Sequence, residues 1–206
     1  MSFPIPVKIN AVSIDFNQWK DGPGKRENSW LSIAELARQY PVDVRFIEIM
    51  PIGYGKQFKT IDHRTLLSEL QTTYPGLKKD SKKHGFGPAV YYKPAGFQGS
   101  IGLISAVHRM FCSSCNRVRL TAGGYLKTCL CYEDGIDLRA VLREGIKRPE
   151  EESRFGWPDG LDIHEECLQR RLQTAMEAAI LKKPRAHCFE TPGRITESHN
   201  MSSIGG

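Results

Sequence analysis

Residues 1–111 contain no cysteine, and all six cysteines of the 206-residue chain fall in its second half. Any thiol-bound metal or redox centre must be built from that half. No uninterrupted apolar run approaches the roughly 18 residues that a membrane-spanning helix requires. The opening "MSFPIPVKIN" also lacks the charged segment and long apolar stretch of a secretion signal, so a cytoplasmic chain with reduced thiols is expected. Internal repeats are absent. The basic excess is small: 29 Lys and Arg against 23 Asp and Glu, a formal charge of +6. This suits a compact anionic ligand such as a nucleotide better than extended nucleic acid, where basic residues cluster more densely.

What is present organises into recognisable elements. "VKINAVSI" alternates apolar and polar residues, as a half-buried strand does, and runs into a polar loop over 15–29. "WLSIAELARQY" brings Leu31, Ala34, Leu36 and Ala37 to one helical face, and Pro41 follows its end. "VDVRFIEIMPI" is a second strand. Strand, helix and strand at this separation predict a βαβ unit with parallel neighbours, and the strand ends direct attention to Lys8, Asn10, Arg45, Glu48 and Met50. "TIDHRTLLSELQTTY" predicts another helix with Leu66, Leu67 and Leu70 inward. The basic connector "LKKDSKKHGFGP" reads as a mobile solvated loop. "AVYYKPAG" and "GSIGLISAV" then read as an antiparallel hairpin. "DLRAVLREG" predicts a short helix. A long one covers "DIHEECLQRRLQTAMEAAILKKP", with Cys167 on its apolar stripe and expected in the core.

The densest chemistry lies in "FCSSCNRVRLTAGGYLKTCLCY". A C-x-x-C pair, Cys112 and Cys115, sets two thiolates on one tight turn, and Cys129 and Cys131 follow after a hairpin. Spacing alone admits a structural zinc held by all four, an iron–sulfur cluster, or unliganded thiols. Three thiolates would leave an open coordination position. Arg117 and Arg119 are two apart on a strand and so share a face, suited to bidentate binding of phosphate or carboxylate. Gly123 and Gly124 can form a two-residue turn, which would pair Val118 with Cys129 and set that cysteine opposite the arginines. A bulge or a three-residue turn would reverse the parity.

These residues resemble the second-cluster motif of the GTP 3',8-cyclase family, radical S-adenosylmethionine enzymes that begin molybdenum cofactor biosynthesis. "VKINAV", "VRFIEIMPIG", "DLRAVLREG", "KKPRAH" and "MSSIGG" are similar to the same family in the same order. The resemblance implies a [4Fe–4S] cluster on Cys112, Cys115 and Cys129, with one iron open to the purine base of GTP. It implies GTP contacts from Lys8, Arg45, Arg117, Val118 and Arg119, contact of Met50 with S-adenosylmethionine, and an active-site role for Gly205 and Gly206. It also suggests a homodimer, while the modest charge and the short apolar runs leave neither nucleic acid nor membrane as an expected partner. Cys131 matches none of the family's usual ligands, so it is expected to be a bystander.

The implied architecture is α/β: the C-terminal fragment of a partial (β/α) TIM-like barrel in 1–84, followed by a small α+β iron–sulfur domain in 85–206. The family's N-terminal C-x-x-x-C-x-x-C motif, whose cluster cleaves S-adenosylmethionine, has no counterpart in this sequence. The expectation is a polypeptide inactive as a cyclase by itself, unless a separate chain supplies that half. The competing expectation is a zinc-binding module built on Cys112, Cys115, Cys129 and Cys131.

Overall fold

β1 (Val7–Ser13) and β2 (Val42–Glu48) form as their alternation requires, joined by α1 (Ser29–Gln39), and run parallel in register from Val7↔Val42 to Ser13↔Glu48. The computed structural model describes residues 5–15, 29–109, 111–144 and 162–204. It divides into two compact units, Met1–Cys115 with Phe189–Pro192, and Asn116–Cys188 with Gly193–Gly206. Most of the polar loop over 15–29 and both terminal glycines, Gly205 and Gly206, lie outside the described residues.

In the first unit, α2 (His63–Thr73) begins where the Asp62 carboxylate accepts the Arg64 N–H at 2.8 Å, an N-cap that satisfies one orphan donor. Three further strands follow: β3 (Lys78–Lys79), β4 (Val90–Lys93) and β5 (Ile101–Ile104). The sheet order is β1-β2-β5-β4-β3. β5 lies parallel to β2 and antiparallel to β4. The sheet is therefore mixed, with three parallel strands on one side. All four residues of β5 are buried, as a central strand demands. Gly99 admits β5 to this position: a Cβ there would stand 1.8 Å from the Val42 carbonyl oxygen.

Alternation then sorts the side chains. Val44, Phe46, Ile101 and Leu103 turn to one face and pack with Ala34, Ala37, Leu66, Leu70 and Phe97. Each large apolar side chain contributes roughly 1.5–3 kcal/mol by leaving water. The opposite face is polar and carries Lys8, Asn10, Asp43, Arg45 and Tyr91.

The hairpin of β4 and β5 belongs to the same sheet as β1 and β2. Two expectations change here. The segment "LKKDSKKHGFGP" is not a simple solvated loop. Lys78 and Lys79 form β3, and the His84 ring is held between Asp43 and Asp80 at 2.8 and 3.0 Å, stacked on Tyr91 at 3.9 Å. Finally, Glu48 faces away from Arg45, because residues of opposite parity leave opposite sides of a strand.

The second unit is built on β6 (Arg119–Leu120), β7 (Tyr125–Lys127) and β8 (Gly135–Asp137), an antiparallel sheet in that order. α3 (Leu138–Glu144) follows with its first turn closed by the Asp137 carboxylate on the Ala140 N–H, and α4 spans Asp162–Leu181. Leu126, Leu138 and Ala179 are buried, with Ile136, Leu172, Ala175 and Met176 packed against them. Cys167 is exposed, contrary to the core expected for it, and Ile180 is exposed as well. α4 offers a narrower apolar seam than its composition suggests.

Candidate functional site

On the polar face of the first sheet, the register sets Lys8 beside Asp43 and Asn10 beside Arg45. The Arg45 Nε donates to the Asn10 side-chain oxygen at 2.8 Å, which fixes the guanidinium stem across the strands. The Lys8 ammonium donates to the His84 carbonyl and lies 5.9 Å from the centre of the Tyr91 ring. Gly102 leaves room for both neighbours, since a Cβ would fall 2.9 Å from the Tyr91 ring and 3.1 Å from the Arg45 chain. The face thus presents two cations, an amide and a phenol in one row. Met50 lies just past the end of β2, half-buried, and its carbonyl accepts the Ile52 N–H at 2.8 Å.

Glu48 plays a different part. Its carboxylate is fully buried and accepts the Val107 N–H at 2.7 Å, the His108 N–H at 3.0 Å and the His63 N–H at 3.2 Å, with His108 Nδ1 at 3.1 Å. The group holds the start of the segment that leads to Cys112. Beside it, the Arg64 guanidinium holds the Asp62 carboxyl down at about 2, and burial lowers the His63 imidazole. His63 lies between the hydroxyls of Ser13 and Ser105, at 3.1 and 3.3 Å.

Cys112 and Cys115 occupy one 3-10 turn, Cys112–Ser114, closed by the Cys115 N–H on the Cys112 carbonyl at 3.1 Å. Both thiols are half-buried. This is the local geometry that C-x-x-C predicts: two sulfur donors on one turn.

In the second unit, the hairpin pairs Arg119 with Lys127 and Leu120 with Leu126. The Thr121 N–H donates to the Tyr125 carbonyl at 2.9 Å, so the turn comprises three residues, Ala122, Gly123 and Gly124. Gly124 alone of these glycines has a positive φ, 82°. A two-residue turn was one of the two readings of the sequence; the observed turn is the other. The ladder ends at Arg119 and Lys127, so Arg117, Val118 and Cys129 lie just outside it. Val118 and Leu120 are exposed. The Lys183 ammonium donates to the Arg117 carbonyl at 2.6 Å.

The remaining cysteines separate clearly. The Cys131 N–H donates to Cys129 Sγ at 3.5 Å, a backbone donor of the kind that tunes thiolate ligands. Cys131 is itself fully buried, with its Sγ 2.9 Å from that of Cys188. Burial, followed by the contact with Cys188, pushes the Cys131 thiol up to about 12. Nearby, Lys127 and Glu197 form a buried ion pair, and the Glu197 carboxylate also accepts the His199 N–H at 2.8 Å. Within each unit, the described groups able to offer three metal ligands are carboxylate–imidazole sets, Glu48 with Asp62 and His108, and Glu133 with Glu197 and His199. In the first set, Glu48 is already satisfied by backbone donors.

Sequence reasoning missed Asp43, His84, Tyr91 and Cys188. Asp43 was detectable, because it alternates with the buried residues of its strand. His84 and Cys188 left no local signal.

Residues 42–189 match the Molybdenum Cofactor Synthesis C family. A GTP 3',8-cyclase of Clostridium perfringens is 34% identical over 98% of this chain and 54% of its own length. GTP 3',8-cyclases of Desulforamulus reducens and Heliobacterium modesticaldum are 34% and 35% identical, again over 98% of this chain and 53% and 54% of their own. The chain spans about half the length of these relatives. No helix among the described residues is long and apolar enough to cross a membrane. With a mixed α/β sheet, a small antiparallel sheet and a family match over most of its length, the chain belongs to the Molybdenum Cofactor Synthesis C family and is homologous to the C-terminal region of GTP 3',8-cyclases.

Proposed function

We propose that this chain provides the second [4Fe–4S] cluster and the GTP-binding surface of a GTP 3',8-cyclase. Cys112, Cys115 and Cys129 are the cluster ligands in this reading. The observation that carries it is the C-x-x-C turn, followed by a three-residue hairpin after which Cys129 stands two residues past β7 with its sulfur accepting a backbone N–H. The donor set fits the group: two half-buried thiols on one turn, and a third whose sulfur already accepts a backbone N–H. A cluster with three protein ligands keeps one iron open, which can act as a Lewis acid toward a base nitrogen.

The chain's own residues do the rest. Arg117, Arg119, Lys8 and Arg45 neutralise and orient the triphosphate, the arginines through paired N–H donors. Val118 supplies backbone contact to the nucleotide. Met50 lies against S-adenosylmethionine, and Gly205 and Gly206, outside the described residues, have a catalytic role. In this reading β1 and β2 are the last parallel strands of a partial (β/α) barrel, with the polar face of Lys8, Asn10 and Arg45 turned to its interior. The domain that carries the cluster begins near residue 85.

Cys131 stays outside the ligand set, since its sulfur is fully buried and turned to Cys188. Anaerobic reconstitution tests the assignment. The expected product is brown, absorbs near about 400 nm and holds about four irons per chain. Cys129→Ser should lose that iron, and Cys131→Ser should keep it. Arg119→Ala should weaken GTP binding measured by equilibrium dialysis without changing iron content. A colourless protein with about one zinc, lost in both cysteine variants, would replace this reading by the four-cysteine zinc module.

A further inference from the structure

Two of the six cysteines have no part in the proposed cluster yet touch one another. Cys131 follows β7, and Cys188 lies beyond the end of α4, 57 residues later. Their sulfurs are 2.9 Å apart, so a shift of about 1 Å would bring them to the roughly 2.05 Å of a disulfide. The Cys188 N–H donates to Cys131 Sγ at 3.2 Å, which holds the backbone of one partner against the sulfur of the other. The Tyr132 hydroxyl donates to the Ala186 carbonyl, a second tie between the same two segments. The approach is therefore set by backbone contacts on both sides.

We propose that Cys131 and Cys188 form a reversible dithiol–disulfide site, distinct from the cysteines read as cluster ligands, that exchanges with small-molecule disulfides. Exposure sets the order of events. Cys131 is fully buried and Cys188 half-buried, so Cys188 is the sulfur an external disulfide meets. Cys188 gives its proton to solvent and attacks one sulfur of RSSR. The S–S bond breaks, and the departing thiolate takes up a proton. Cys131 then loses its proton and attacks Cys188 Sγ, and the mixed disulfide breaks with release of the second RSH. Two protein thiols are oxidised by two electrons, and one RSSR is reduced to two RSH.

The site bears on its neighbourhood through covalent linkage. Cys131 is two residues from Cys129 and donates its N–H to that sulfur. Oxidation would pin this loop to the segment after α4. The inference stands on the geometry of one unit and does not need the cluster to be present.

The test uses the full chain, free of metal, equilibrated across glutathione to glutathione-disulfide ratios, acid-quenched, denatured and alkylated. The expected result is a fall from six alkylatable thiols to four, with Cys131 linked to Cys188 and the link reversed by excess glutathione. One tryptic peptide, "TCLCYEDGIDLR", carries both Cys129 and Cys131, so fragment ions must assign the linkage. Repeating the experiment on Cys129→Ser should preserve the link. Cys188→Ser and Cys131→Ser should each abolish it, and Cys167→Ser should leave it unchanged. A count that stays at six throughout, or a link that joins Cys112 to Cys115 or Cys129 to Cys188, overturns the inference. Iron is not read in this experiment, so its outcome is separate from that of the cluster assignment.

Discussion

Replacing Glu48 by Gln probes the segment that delivers the C-x-x-C turn. The carboxylate is fully buried, and its two oxygens accept three backbone N–H groups, those of His63, Val107 and His108. A Gln amide offers one oxygen. In its best orientation that oxygen keeps Val107 and His108, and its NH2 then faces the His63 N–H. One buried donor is orphaned, at roughly 1–3 kcal/mol, and the surviving bonds lose their charge assistance, at roughly 1 kcal/mol more. The expected loss is about 2–4 kcal/mol, a large part of the 5–15 kcal/mol typical of a folded domain. Melting followed by circular dichroism should fall by about 5–10 °C. Amide exchange at Val107 and His108 should accelerate, since those two N–H groups depend on this acceptor. Reconstituted iron should also be retained less well, because the same segment runs on to Cys112. A Glu48→Gln protein within about 0.5 kcal/mol of the parent, with unchanged exchange at both amides, would refute the reasoning.

Three further outcomes follow from other contacts. Burial works to raise the Asp80 carboxyl, but the Ser100 hydroxyl, the Lys82 N–H and the His84 ring hold it at about 2, below its ordinary 3.8. A depressed folded value stabilises the protein above pH 3.8 and loses that contribution as pH falls toward about 2. Allowing for solvent screening this is about 1–2 kcal/mol. Asp80→Asn should therefore flatten acid denaturation in that window, and an unchanged acid slope would contradict the assignment. Glu197→Ala strands the buried Lys127 ammonium and should cost about 3–5 kcal/mol in urea unfolding, whereas Lys127→Met with Glu197→Leu should cost less than the two single changes together. Strictly additive effects would show that the two groups are not coupled. Gly124→Ala, at φ 82° and with a Cβ 3.1 Å from that of Arg139, should cost about 1–2 kcal/mol. Gly123→Ala, whose Cβ would meet nothing nearer than 3.8 Å, should cost markedly less, and equal costs would contradict the three-residue turn.

The sequence by itself determined what is local. Alternation in "VKINAVS" and "VDVRFIE", and the 3.6-residue spacing of Ala34, Ala37, Leu66 and Leu70, specified the βαβ unit and its buried helix faces. The C-x-x-C spacing required two sulfurs on one turn. The order of motifs over most of the chain identified the family. Tertiary structure decided what depends on partners distant in sequence. Whether the β4–β5 hairpin stands apart or joins β2 is a competition between packing faces, and the close approach at Gly99 lets β5 in. The hairpin turn comprises three residues rather than two, a difference of one residue of loop length that Gly123 and Gly124 leave open in the sequence. Glu48 and Arg45 look alike as charges near a strand end, yet pleating sends one into the core and the other to the polar face. Cys131 and Cys188 are 57 residues apart, with no local signal to pair them. Local periodicity is written in neighbouring residues, whereas register and long-range contact arise only when competing surfaces are buried together.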